Sequence, residues 1–337
     1  MNRKSKFCHC ADKRDMPNSR KPGMRIETAN TVSVCLTAMI CCALWGSAFP
    51  CIKIGYQLFQ IEGNDVSSQL LFAGYRFTLA GLLTILIGSL MNRRPLLPQK
   101  TSWLRIIKLS LFQTVIQYLF FYVGLAHTTG VKASIIEASN VFAAILIASL
   151  IFRQEKLDKN KVIGCIAGFA GVVIININQG GLNMSLSLMG EGFILLSTIA
   201  YAVSSVLIKI YSREDHPVML SGWQFLLGGI IMILCGYLTG GSVHVWTVPS
   251  ISMLFYLSAV SAIAYSLWGI LLKRNPVSKV AVFGFMNPVF GVILSALFLG
   301  EGQQAFGLTT LVALFLVCIG IYIVNKPTPQ PAPDNQE

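Results

Sequence analysis

Charge is what this chain has least of. Asp, Glu, Lys and Arg make up 12% of its 337 residues, about half the share of an ordinary soluble domain, while 54% are hydrophobic. So little polar surface cannot coat a soluble fold of this length, which points to an integral membrane protein. His9, His127, His216 and His244 all fall in tails, polar gaps or the ends of apolar runs, as do Asp12, Asp15, Asp65, Asp158, Asp215 and Asp334. An intramembrane aspartyl or metallo-hydrolase needs such groups at depth, so no enzyme is expected. No G-x-x-x-x-G-K-[ST] loop is present to hold a nucleotide phosphate, and no filter-like loop or ring-forming charge series marks a channel. Any transport therefore runs on gradients.

Cysteine is present but not as a disulfide framework. Cys35, Cys41, Cys42, Cys51, Cys165, Cys235 and Cys318 sit in apolar runs, where a thiol behaves as a small apolar residue. Cys8-His9-Cys10 stands alone in a basic tail without a second ligand pair. Neither a metal site nor a cofactor is expected.

What the chain does have is long apolar runs, at about 33–57, 69–91, 104–126, 131–152, 161–178, 188–209, 217–239, 250–272, 277–300 and 305–325. Each can cross a hydrocarbon core of about 30 Å as a helix. The expected fold is thus all-α, integral to a membrane, with ten transmembrane helices. Residues 1–31 are too long and polar for a cleaved signal peptide, so the first run reads as a retained anchor. The tail at 326–337, with Pro327, Pro329, Pro331 and Pro333, reads as disordered.

The net charge of +12 is explained by where it falls. Lys and Arg crowd the N-terminal tail and every second gap thereafter: Arg93, Arg94, Lys100 and Arg105, then Arg153, Lys156, Lys159 and Lys161, then Lys209 and Arg213, then Lys273, Arg274 and Lys279, then Lys326. The alternate gaps carry only Lys132. Positive charge is retained on the cytoplasmic side, so both termini are expected in the cytoplasm of a cell-membrane protein, with an even number of spans. The lipid bilayer and not nucleic acid accounts for the basicity.

The chain also repeats itself. Asn140-Val-Phe-Ala-Ala-Ile-Leu-Ile-Ala-Ser-Leu-Ile-Phe-Arg-Gln-Glu155 returns as Asn287-Pro-Val-Phe-Gly-Val-Ile-Leu-Ser-Ala-Leu-Phe-Leu-Gly-Glu301. Trp45–Lys53 aligns with Tyr201–Lys209, and Gly74-Tyr-Arg-Phe77 with Gly222-Trp-Gln-Phe225. Each half, 32–180 and 188–325, holds five runs, and an odd number inverts the second half against the first. Inverted repeats are a mark of transporters.

Five-plus-five helices, the Trp45-Gly-Ser-Ala-Phe49 start, Arg76 in the second run and the Asn-to-Glu run closing the fourth helix of each half resemble the drug/metabolite transporter superfamily, nearest its ten-span EamA branch. The resemblance implies a secondary carrier of small organic solutes, amino acids or related metabolites, commonly exported, with the solute between the halves. A channel, a sensor or assembly subunit and, among carriers, a nucleotide-sugar-like exchanger stay open as alternatives. Pro288 in the second half is Val141 in the first, so a helix break is expected in one half only.

Polar groups inside the runs are where chemistry is expected. Arg76 and Glu137 both lie near 10 Å from the outer ends of their runs, within reach of each other. They read either as a structural ion pair or as a working one, with Arg76 on a substrate carboxylate and Glu137 changing protonation, protons being the candidate coupling ion. Lys53 reads as snorkelling. The second half has Gln224 for Arg76 and Gly284 for Glu137, so the charge is asymmetric. Trp45, Arg76, Glu137, Asn140, Tyr201, Gln224 and Asn287 are the candidate pathway residues, with Pro288 freeing a backbone carbonyl near the midplane. Gln113, Gln117 and the aromatic residues Tyr118, Tyr122, Trp223, Tyr265 and Trp268 are further polar and apolar lining candidates. The small-residue face at Gly164, Gly168 and Gly171 supports close helix contact within a monomer or a weak homodimer.

Overall fold

The computed structural model describes residues 31–127, 133, 136–177, 187–299 and 308–326. The basic N-terminal tail with Cys8-His9-Cys10, the proline-rich C-terminal tail, Lys132 and Glu301 lie outside them. The described residues are helical, without a strand. In chain order the helical segments are α1 (Thr31–Phe59), α2 (Val66–Met91), α3 (Ser102–Ala126), α4 (Ile136–Ile151), α5 (Lys159–Ile177), α6 (Leu188–Tyr211), α7 (Pro217–Leu238), α8 (Val248–Arg274), α9 (Val277–Ala281, Val282–Phe285 and Met286–Leu299) and α10 (Leu308–Asn325).

Six of these, α1, α2, α3, α6, α7 and α8, are long and apolar enough to cross a membrane. α4, the first part of α9 and the second part of α10 form shorter apolar helices. Large apolar side chains such as Leu82, Leu86, Leu90, Ile163, Ile166 and Phe315 are exposed along the helices, the arrangement a lipid solvent requires.

Local sequence sets the helix ends. Asp65 caps α2 by accepting from the Ser68 amide at 3.0 Å, and Thr247 and Ser250 form a reciprocal capping box at the start of α8. Pro217 opens α7, where its missing N–H leaves nothing unpaired.

Glycine sets the packing. A methyl group on Gly81 would stand 2.5 Å from the Leu226 amide nitrogen, and one on Gly229 2.4 Å from that of Thr78. Leu71 meets Gly236, Gly74 meets Ile233, Thr78 meets Gly229 and Gly81 meets Leu226. As α2 advances α7 retreats, so the two pack antiparallel with backbones in contact. α5 and α10 do the same, Gly164 against Gly320 and Val324, Gly171 against Ala313 and Val317. α1 packs on α8 and α9, while α6 packs on α3 and α4.

Four departures from regular α geometry fall in these helices. Residues Leu111–Ile116 in α3, Ile147–Ile151 in α4 and Leu188–Gly192 at the start of α6 wind as π turns, and Val282–Phe285 in α9 as a 3-10 turn. The last has a plain cause: Pro288 donates no N–H to Gly284 and its ring crowds that carbonyl, so the helix tightens just before it. The expected break at Pro288 is therefore displaced to 282–285. At the matching Val141, α4 is regular helix, and its own irregularity, a π turn, begins six residues beyond. There the ladder widens instead of losing a donor.

Candidate functional site

The centre of the site is Arg76, which is 3% exposed. α2 begins at Val66, earlier than the apolar run suggested, so Arg76 is ten residues into its helix, about 15 Å along it. Its Nε and Nη2 donate to the Ser261 hydroxyl of α8 at 3.2 and 2.9 Å. Ser261 passes its own proton to the Leu257 carbonyl at 3.1 Å, and Ser258 donates to the Arg76 carbonyl at 3.0 Å. The guanidinium carbon stands 5.1 Å from the Phe77 ring centre, within cation–π range.

Glu137 is not its partner. Among the described residues no ion pair includes Arg76 or Glu137. Tyr265 is within electrostatic reach of both charges, Tyr118 of Arg76 and Tyr201 of Glu137. The Tyr118 and Tyr265 hydroxyls are hydrogen-bonded at 3.1 Å. Trp45 packs edge-on against Tyr265 and Trp268, both at 5.0 Å between ring centres. Phe77 stacks on Phe225 at 5.3 Å with an 11° interplanar angle. These two phenylalanines occupy matching positions in Gly74–Phe77 and Gly222–Phe225.

The remaining candidates are placed around this box. Gln224, fully buried, accepts from the Thr114 hydroxyl at 2.7 Å, while its Nε2 has no partner. Thr114 and Gln113 belong to the π turn of α3, and the buried Oε1 atoms of Gln113 and Gln117 are also unpaired. Asn140 faces α9: its Oδ1 lies 3.7 Å from where a Cβ on Gly284 would stand. Asn287, half-buried beside Pro288, has an unpaired buried Oδ1. The α9 stretch just after it touches the Trp45 strip of α1, since a Cβ on Gly46 would lie 2.4 Å from Phe290 Cβ. Trp45 Nε1 is likewise without a partner. Lys53 is exposed, as a snorkelling residue is.

Orphaned polar atoms are costly when buried, about 1–3 kcal/mol each. Unpaired atoms on Trp45, Gln113, Gln117, Gln224 and Asn287 lie on helices around the Arg76 region, while others, on Ser149 and Asn275, lie outside it; a buried cation with aromatic rings and unpaired amides on neighbouring helices has the chemistry of a polar binding site.

A second polar cluster joins the segments at one end of the bundle. Arg105 of α3 bonds Asp215 at 2.7 Å and pairs with Glu214. The Ser102 hydroxyl donates to Asp215 at 2.6 Å. Arg213 donates to Gln154 at 2.5 Å. Glu155 accepts from the Ser278 amide at 3.0 Å and from the Ser278 hydroxyl, and pairs with Lys161 at 2.9 Å. Lys209 donates to the carbonyls of Leu272, at 3.1 Å, and Asn275, where α8 ends.

Sequence reading had no place for Ser258, Ser261 or Thr114. The available signal was a small hydroxyl residue within an apolar run, which membrane helices use for contacts across helices. Gln154 carried no signal beyond lying in a polar gap, and Ser278 none beyond standing at the start of an apolar run.

The EamA-like transporter family matches residues 32–177 and 188–326. A WAT1-related chloroplastic protein of Arabidopsis thaliana is 25% identical, the match covering 84% of this chain and 67% of that protein. Uncharacterized transporter YvbV of Bacillus subtilis is 27% identical over 84% of this chain and 88% of its own length. An uncharacterized transporter of Archaeoglobus fulgidus is 29% identical over 84% and 93%. A solved crystal structure superposes with a TM-score of 0.72 at 19% identity, covering 87% of this chain and 96% of the other.

Proposed function

The chain belongs to the EamA-like transporter family, and from that membership we propose a ten-span secondary carrier for a small organic solute, amino acid or related metabolite, built as two inverted five-helix halves. The solute sits between the halves and is exposed to each side in turn. The basic N-terminal tail, the C-terminal tail and the Arg105–Asp215 end lie in the cytoplasm, as the positive-inside distribution requires. Export is favoured by the family resemblance.

The observation that carries this reading is that matching segments of the two halves meet each other. α2 packs antiparallel on α7, and α5 on α10. α1 takes α8 and α9 as neighbours where α6 takes α3 and α4. That pattern is what an axis in the membrane plane produces. It reaches the site, where Phe77 stacks on Phe225 and Tyr118 bonds Tyr265, residues at equivalent depths of equivalent helices. The polar box thus lies at the junction of the halves, where a rocking motion opens it to either side.

The cytoplasmic cluster supports alternating access. Arg105 and Gln154 come from the first half, and Asp215, Glu214 and Arg213 from the second, so this end is held shut by bonds between halves. Glu137, within electrostatic reach of Tyr201 and Tyr265 and without a cationic partner among the described residues, is the candidate proton-coupling group.

Counterflow in proteoliposomes, with amino acids and metabolites screened at two pH values, tests the reading. Saturable uptake accelerated by unlabelled solute inside is expected. Linear flux without acceleration identifies a channel, and no flux of any solute removes the carrier reading.

A further inference from the structure

Arg76 is a cation placed where cations are expensive, and its protein contacts leave it half used. A guanidinium has five N–H donors in a planar fork and cannot lose its proton to escape burial. Here Nε and one N–H of Nη2 converge on a single neutral acceptor, Ser261 Oγ. Among the described residues nothing accepts from Nη1, and no carboxylate pairs with the group. The edge left over, Nη1 with the second N–H of Nη2, is the one that matches a carboxylate bidentately.

The arrangement around that edge is fixed from behind. Ser261 and Ser258 tie Arg76 to α8 from its side chain and from its backbone, so the fork is held in one orientation and its ordering cost is met before a ligand arrives. The neighbouring surface is aromatic: Phe77 under the guanidinium, then Tyr118 and Tyr265, then Trp45. Trp45 Nε1 is a further donor without a partner. A single positive charge flanked by neutral donors balances one negative charge, whereas a phosphate dianion requires more.

We infer that the transported solute is a monocarboxylate with an apolar body, its carboxylate held by the Nη1/Nη2 edge of Arg76 and its body against the Trp45, Phe77, Tyr118 and Tyr265 rings. This rests on the carrier reading above and names the solute class of the same site. The carboxylate converts an unpaired buried cation into a hydrogen-bonded ion pair, which is the largest electrostatic gain the site offers. The uncharged carboxamide of the same acid has the same shape but cannot make that gain.

Matched acids and amides test it on the full chain: benzoate against benzamide, and hexanoate against hexanamide. Equilibrium dialysis of the detergent-solubilised protein measures binding, and competition against counterflow of whichever solute the screen yields measures transport. The acid is expected to bind about tenfold or more tighter than its amide. Arg76→Gln is expected to abolish that preference, while Arg76→Lys, which keeps charge but loses the fork, retains part of it. Equal binding of acid and amide by the wild-type protein overturns the inference without relying on any variant, as does wild-type binding of neither. Counterflow of neutral solutes that Arg76→Gln leaves intact overturns the carboxylate class while the carrier reading survives. Absence of all counterflow removes both.

Discussion

The Arg105–Asp215 end and the interior of this protein handle polarity in opposite ways. At the end, Asp215, Arg105, Glu155 and Ser278 find partners at hydrogen-bonding distance, and several of those bonds run between the halves. In the interior, Trp45, Gln113, Gln117, Gln224 and Asn287 each present a buried polar atom with no partner, and Arg76 has no counter-charge among the described residues. The first region is nearly complete without a ligand, with the Asn275 Oδ1 as its exception. The second is complete only with one. A closed gate needs internal satisfaction, and a binding site needs its donors and acceptors left for the solute.

The strongest way to break this contrast is to remove the interior charge. Arg76→Gln is expected to lower uptake of the transported solute by about a hundredfold, the loss of a charge-assisted bidentate contact, with the protein still eluting as a single species on size exclusion. If uptake stays within a factor of three, Arg76 only packs α2 against α8.

The next effect is on the gate. Asp215→Asn removes a partly buried ion pair with Arg105 and weakens the Ser102 bond, destabilising the closed end by about 1–3 kcal/mol. Faster maleimide labelling of a cysteine placed at Ser102 is the expected readout. An unchanged rate would show that the end is closed by packing alone.

Glu137→Gln sharpens the comparison from the interior side. Uptake that depends on pH in the wild-type protein is expected to become flat between pH 5.5 and 8, with rate at the optimum reduced about tenfold. Retained pH dependence would move the coupling role elsewhere. Smallest is Tyr118→Phe, which deletes one hydroxyl bond to Tyr265 and is expected to weaken solute affinity by only about 1 kcal/mol, near fivefold, in a direct binding assay.

Much of the fold was legible because lipid imposes a simple pattern. Long apolar runs and alternating basic gaps follow directly from the bilayer, whereas the start of α2, ahead of the apolar run that marked it, is set by the Asp65 cap, a local role the run does not display. The candidate site was half legible. Buried charge marked Arg76 and Glu137, and repetition marked Trp45 with Tyr201 and Asn140 with Asn287. Their pairing was not legible, since depth along a helix is one coordinate and azimuth is another: Arg76 turns toward Ser261 on α8 and not toward Glu137 on α4. The π turn that carries Gln113 and Thr114 left no trace either, because the residues of Leu111–Ile116 have no composition that distinguishes a π turn from an α-helix. Pro288 did foretell an irregular helix, and the fault lies one turn earlier because proline acts on the carbonyl four residues behind it.

The central claim is that the satisfied end must open and reclose for the unsatisfied interior to carry solute. Gln154 and Arg213, joined at 2.5 Å across the halves, can be replaced by cysteines in a background without other reactive cysteines and bridged by a short bismaleimide. In proteoliposomes the bridged protein is expected to bind solute from the outer side and to transport none, with full transport when the two cysteines are blocked singly instead. Undiminished transport by the bridged protein would contradict the account.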